Sequence, residues 1–504
     1  MRREVPGVGG RLSGPLPANV SWPLPHLPIV KHREFSLSSG RKARIEAFAR
    51  RLLRSDQRLR HPSVLHPGVG VGLGPWPTLH VHDRSLDPDL PQQRFPHQYR
   101  ALLLGGDGDM VAVNQTVSPG FETYCRNVLG LGMVTVLRAR DDARRSLFAS
   151  LLRDPHCLDA VVRVAKEQGG LNVLPYIGGG GAWALASRVA ERARVPLRVG
   201  APHPWLTMAV NDKVWFSDVA RELLGSAAIP TARSAQSWIG LIRLLSELSK
   251  VHDTLGLKLP STSGSWGIVV INSAEVRGVP LRQLRARMKE LLGELGWNRP
   301  FPMLVTVWEA PVLVTPSVQT WIPNQGDGAP VVEGVFDQKV AGAEARFFGC
   351  APTRLPERWL NALSQEAGMM STLFQSLGYF GRCSFDAILV GDDLSEASLH
   401  WVECNGRWGG TSIPMTLANR LVGDYGHRPF VTTGQIPVPD ARTFAAVLRR
   451  LEGRLWGASE KGKIVLLGPG PDTGLAQANM MAFGQTVERA ERELRLAAEA
   501  LSEL

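Results

Sequence analysis

A loop-rich, multidomain protein that mixes helices with parallel and antiparallel sheet is the fold class the sequence predicts, on three observations. The chain has 504 residues, about three times an ordinary domain. Short apolar runs alternate with amphipathic stretches between residues 99 and 192, the pattern of a parallel or mostly parallel α/β unit. Farther on, 381–390 and 400–405 read as two strands joined by the polar turn 391–399, as in an antiparallel hairpin. Hydrophobic residues at 44% and charged residues at 20% lie near globular averages, which excludes disorder as the main state.

Taken in order, residues 1–95 are rich in Pro, Gly and Arg. They carry one candidate helix at 45–59 and a Gly/Pro stretch at 68–77, and are expected to form an arm draped on the rest. Strands are expected at 101–104, 110–114, 133–137 and 171–177, with helices at 120–129 and 183–192. Gly179-Gly180-Gly181-Ala182-Trp183-Ala184 follows a strand and opens a helix, as a dinucleotide fingerprint would. The next strand, 197–199, ends at Gly200 without the acid that holds a ribose, so a tight turn is the simpler reading. Gly457-x4-Gly462-Lys463 lacks the Ser/Thr of a phosphate loop and precedes its strand, the wrong order, and is rejected.

Composition narrows the partners. The 57 Lys and Arg against 46 Asp and Glu leave a net charge of +11, which permits an anionic partner. Only ten of these are lysines and the arginines are scattered, so a nucleic-acid partner is not expected, while a lysine at a motif position gains weight. Five cysteines without a C-x-x-C pair fit neither a disulfide scaffold nor a zinc site, pointing to a reducing compartment. No apolar run suits a signal peptide or reaches the roughly 18 residues of a membrane span, so a cytoplasmic location without membrane contact is expected.

Three stretches could build one nucleotide site. Asn211-Asp212-Lys213 opens a helix that Asp212 or Asn211 can cap and Gly225 can stop. A lysine in a first turn opposes the helix dipole unless an anion lies nearby. Next, Lys258 lies on a strand that runs into Ser261-Thr262-Ser263-Gly264-Ser265-Trp266-Gly267. Such a loop of small residues exposes N–H groups and hydroxyls that can wrap phosphates. Third, if the 381–405 hairpin pairs with position numbers summing to about 789, Asp386 lies opposite Glu403 and Val390 opposite Leu399. Opposed side chains on one face stand about 5 Å apart, and two carboxylates so placed call for a cation between them. Asn405 shares that face and adds a neutral oxygen, a donor set suited to Mg²⁺ completed by phosphate oxygens. Arg407 then places a guanidinium beside the metal, and strand 303–308 running into Glu309 could line an adenosine pocket.

In this order, Asn211-Asp212-Lys213, Lys258 with its Ser/Gly loop, Glu309, Asp386 and Glu403-x-Asn405-x-Arg407 resemble the ATP-grasp ligases over roughly 205–425. Glu403-Cys404-Asn405-Gly406-Arg407-Trp408-Gly409-Gly410 and Leu467-Gly468-Pro469-Gly470-Pro471 are similar to the peptide ligases of the pheganomycin-biosynthesis kind.

The resemblance implies an α+β ATP-grasp fold of two lobes at 211–428, preceded by a pre-ATP-grasp α/β domain at 96–210 and followed by a small C-terminal domain at 429–504. It implies that Lys213, Lys258 and the loop residues Ser261, Ser263, Gly264, Ser265 and Gly267 hold ATP phosphates, and that Glu309 contacts the adenosine. Asp386, Glu403 and Asn405 would bind Mg²⁺, with Arg407 and Lys258 catalytic. The implied reaction joins a carboxylic acid to the amine of a peptide or amino acid through an acyl-phosphate, with Gly409 and Gly410 N–H groups and Arg407 on the oxyanion. A small-substrate dipeptide ligase and a non-catalytic nucleotide-binding protein are the alternatives. The 3-4 spacing of Val487, Ala490, Leu494, Ala497, Leu501 and Leu504 is expected to dock on its own domain, with a homodimer as the other possibility.

Overall fold

The computed structural model describes residues 26–60, 66–83, 96–114, 118–140, 146–262, 267–297, 300–342, 345–439, 441–457, 462–474 and 476–502. The N-terminal body is a six-stranded sheet in the order Val69–Val71, Leu197–Val199, Leu171–Pro175, Thr78–Val81, Met110–Val113, Thr135–Arg138, every pair parallel. Alternation along a strand sends side chains to opposite faces. Met110 and Ala112 accordingly lie in the core shared with helices Leu147–Arg153, Pro155–Glu167 and Gly180–Ala193, while Val111 and Val113 lie in the other, on the side of the 3₁₀ helix Pro96–Leu103.

Two local expectations fail here. The run 101–104 is not a strand but belongs to the 3₁₀ helix Pro96–Leu103 and the turn after it. Its four residues are all buried, and a short apolar run without alternation reads the same either way. Residues 66–83, expected within a draped arm, supply two strands of the parallel sheet. The helix foreseen at 45–59 runs Ser39–Ser55, started by the Ser38 cap, and packs on helix Glu357–Ser376.

Two lobes follow. The smaller is a four-stranded antiparallel sheet, Ala232–Ala235, Met303–Val307, Thr254–Lys258, Ile268–Asn272, backed by helices Trp238–Leu248 and Leu281–Glu294 over a core of Leu241, Leu245, Leu257 and Val305. The larger sheet runs Val312–Val314, Gly381–Val390, Pro316–Ile322, Val331–Ala341, Arg346–Pro352, with Ser398–Asn405 also paired to Gly381–Val390. Strand Pro316–Ile322, not foreseen, is buried along its whole length and so shows no apolar–polar alternation. One face of this sheet, through Cys383, Phe385, Trp401 and Cys404, packs on helices Lys213–Leu224 and Glu357–Ser376. The opposite face carries Asp386.

The C-terminal body pairs Phe430–Pro437 and Ile464–Leu466 with Gln477–Phe483. Helix Val487–Ser502 buries Ala490, Leu494, Ala497 and Leu501 against it, as the spacing predicts for docking on its own domain; Leu504 lies outside the described residues. Among the described residues no helix is long and apolar enough to cross a membrane.

Candidate functional site

The hairpin carries its acids at the predicted register. Asp386 pairs with Glu403 and Ser384 with Asn405, but a bulge after Asp386 shifts the rest, so Val390 meets Ser398 instead of Leu399. The extra residue sits beyond the acids and leaves their face intact. Asp386 is buried, its Oδ1 accepting from Ser317 Oγ at 2.6 Å and its Oδ2 from Asn405 Nδ2 at 2.8 Å. Asn405 Nδ2 also lies 3.5 Å from Glu403 Oε1.

Burial, and then the neighbouring Glu403 charge, push the Asp386 carboxyl up to about 7. Burial also works against Glu403, yet the charges of Lys213, Arg407 and Lys258 outweigh it and hold that carboxyl below its ordinary value. A crowded carboxylate pair, one of them raised by the other's charge, is a donor set that a divalent cation relieves, and a half-turn of the Asn405 amide offers Oδ1 as the third oxygen. The three residues therefore fit Mg²⁺.

Basic groups surround the acids. Asp212 caps helix Lys213–Leu224, accepting from Val214 and Trp215 N–H, which settles the choice of cap. Lys213 in the first turn is buried, donates to Thr262 O at 2.6 Å and lies 3.3 Å from Glu403 Oε2, so the anion that its dipole-opposing position demands is Glu403. The hairpin Thr254–Lys258 and Ile268–Asn272 pairs Lys258 with Ile268. Lys258 stands over the Trp308 ring at 5.4 Å. Burial lowers its ammonium to about 8, with the Glu403 and Glu309 charges limiting the drop. Of the loop, Ser261 and Gly267 are described; Ser263, Gly264 and Ser265 lie outside the described residues.

Arg407 donates to Asn211 Oδ1 at 2.8 Å, and Gly406 N–H reaches the same oxygen at 3.1 Å. A side chain at 406 would meet Val210 at 2.5 Å, so glycine is what lets the two segments approach. Asn211 is thus not a cap but the clamp on Arg407, a role its sequence neighbourhood does not reveal. Trp408 N–H donates to Tyr176 O at 3.0 Å and ties this turn to the parallel sheet. Gly409 N–H is already given to Ser412 Oγ at 2.8 Å, so the expectation that it serves an oxyanion is corrected. Glu309 faces the cleft, but its Oε2 lies 2.6 Å from His400 Nδ1, a partner that sequence reading missed because His400 sits on the second strand of the large-lobe hairpin, far along the chain.

Lys213, Lys258, Trp308, Glu309, Ser317, Asp386, Glu403, Asn405 and Arg407 line one cavity of about 1520 Å³ between the lobes, which Tyr176 of the parallel domain and Leu467 to Gly470 of the C-terminal body also wall. Two α+β lobes closing on such a cleft, behind a parallel α/β domain, are the ATP-grasp fold with its pre-ATP-grasp domain. Residues 98–190 match the model of the pre ATP-grasp domain family. No curated protein matches the chain by sequence.

Among solved structures, a biotin carboxylase from Campylobacter jejuni in complex with a β-γ-ATP ligand shares the fold at a TM-score of 0.53, with 11% identity over 84% of this chain and 91% of that one. N5-carboxyaminoimidazole ribonucleotide synthetase from Thermus thermophilus is similar at 0.48, with 15% identity over 85% of this chain and 99% of that one.

Proposed function

We propose that this chain is an ATP- and Mg²⁺-dependent ligase that joins a carboxylic acid to an amine through an acyl-phosphate. The observation that carries the reading is the convergence of Asp386, Glu403 and Asn405 on one face, with Lys213 3.3 Å from Glu403 and Lys258 and Arg407 in the same cleft. Bound there, Mg²⁺ would act as a Lewis acid on phosphate oxygens. A carboxylate holds a poor leaving group until it is phosphorylated, and phosphoryl transfer asks for positioning and charge neutralisation before nucleophilic side chains.

The residues divide that work. Lys258 and Arg407 offset phosphate charge, with Arg407 aimed by Asn211 and left to stabilise the tetrahedral oxyanion without help from Gly409. Trp308 and Glu309 line the adenosine end, and Thr262 in the same cleft marks the segment assigned to the phosphates. The acceptor is a peptide or amino-acid amine, as in natural-product peptide ligation of the pheganomycin kind; this part rests on the Glu403–Gly410 motif and on a cavity with room beyond a nucleotide.

The test is incubation with ATP, Mg²⁺ and a panel of carboxylic acids with amino acids and peptides, following phosphate release and product mass. ADP, phosphate and an amide are expected. Pyrophosphate with AMP would replace the acyl-phosphate route by adenylation.

A further inference from the structure

A second set of convergent donors lies in the parallel domain, outside the cleft. His80 is on strand Thr78–Val81, Asp109 immediately precedes the neighbouring strand Met110–Val113, and His26 reaches in from the N-terminal segment. His80 and Asp109 are buried, and His26 keeps 20% of its side chain exposed. The two imidazole Nε2 atoms lie 3.1 Å (His80) and 2.8 Å (His26) from the same oxygen, Asp109 Oδ2, and all three donor atoms fall within 4.8 Å of one another.

Hydrogen bonding alone does not satisfy this arrangement. Asp109 Oδ1 accepts from Thr78 N–H at 2.8 Å, and Oδ2 already accepts from Gly106 N–H at 2.9 Å. A carboxylate oxygen has two lone-pair sites, so two imidazole N–H groups on Oδ2 would make three donors for two places. The oversubscription is visible: His26 Nε2, shielded from solvent, makes no hydrogen bond of acceptable geometry. With both imidazoles deprotonated at Nε2 and a cation among the three atoms, Oδ2 serves one N–H and one metal bond, and the count closes. Gly106 keeps the place open, since a side chain there would meet the His26 ring at 2.7 Å.

We propose that His26, His80 and Asp109 form a transition-metal site of the zinc class, three protein ligands with a fourth position for water, which pins the N-terminal segment to the sheet. Thr78 N–H orients the carboxylate from outside the ligand shell. Among the described residues His80 Nδ1 has no partner, so the ring lacks the outer anchor of the tightest sites, which weakens affinity by about 10–100-fold relative to them.

The test uses full-length protein stripped by chelator and titrated with Zn²⁺ or Co²⁺, in the wild type and on a Glu403→Gln background that disables the cleft. One equivalent of metal is expected on the Glu403→Gln background and at least one in the wild type, with a tetrahedral Co²⁺ visible spectrum and a Tm rise of roughly 2–5 °C at saturating Zn²⁺ in both. His26→Ala should lose the spectrum and at least about tenfold in affinity. Should that variant fail to fold, His26→Gln, which keeps the volume, gives the same readout. Absence of bound metal in the wild type, or an unchanged spectrum in the His26 variants, would overturn the proposal. Neither result bears on ligase activity, which is read separately.

Discussion

The acid wall and the basic wall of the cleft are built in different ways. Asp386, Glu403 and Asn405 come from two strands of one hairpin, within twenty residues of each other, and their convergence follows from register. The cations have no such common frame. Lys213 comes from a helix N-terminus, Lys258 from a strand of the other lobe, and Arg407 from the turn after the hairpin, where Asn211, 196 positions away, holds it. A local frame places a constellation by pairing rules, whereas a dispersed one depends on the packing of several bodies and on residues whose only task is to hold another residue.

That contrast predicts a graded response. Breaking the acid wall should do the most damage: Glu403→Gln or Asp386→Asn is expected to cut kcat by at least about a thousandfold. Circular dichroism should stay near wild type in both, and Tm in Asp386→Asn, because Ser317 and Asn405 still bond that altered side chain. Wild-type turnover in either variant would remove the metal assignment.

On the basic wall, Lys258→Met should lower kcat by about 10²–10³ yet raise Tm. Burial holds the folded ammonium near 8, below its unfolded value, so charging it costs stability at neutral pH. The Tm advantage of Lys258→Met should therefore be full below pH 8 and fade as pH rises from 8 towards 10.5. A flat pH profile would show that the lysine is not desolvated.

Asn211→Ala tests the dispersed design directly. Freed from its clamp, Arg407 should remain present but badly aimed, costing about 10–100-fold in kcat with KM for ATP little changed. Equal loss in KM and kcat would make Asn211 a general fold residue. The smallest effect is expected from His400→Phe, which leaves Glu309 without its partner and should alter KM for ATP by about 2–5-fold with kcat retained.

Legibility in the sequence follows the same division. The Asp386–Glu403 pairing was readable because two strand-like segments and a polar turn define a hairpin, and counting across the turn sets the register; only the bulge that moves Val390 onto Ser398 escaped. The parallel domain was readable from its alternating runs, except where four buried residues at 101–104 carry no periodicity and where the Gly- and Pro-rich segment 66–83 hides two short strands. The partnership of Ser317 with Asp386 was not, because strand Pro316–Ile322 is buried throughout and shows no alternation.

The sequence by itself determined the order of elements, the facing acids and the lysines worth noticing, since periodicity and spacing act over a few residues. Only the tertiary structure decided that Lys213 answers Glu403, that Asn211 aims Arg407, that Ser412 has already taken the Gly409 N–H, and that His26, His80 and Asp109 meet at one oxygen. Those contacts join segments far apart in the chain or turn on side-chain orientation, where no local preference fixes the partner and burial makes each polar group take whichever one the packing brings.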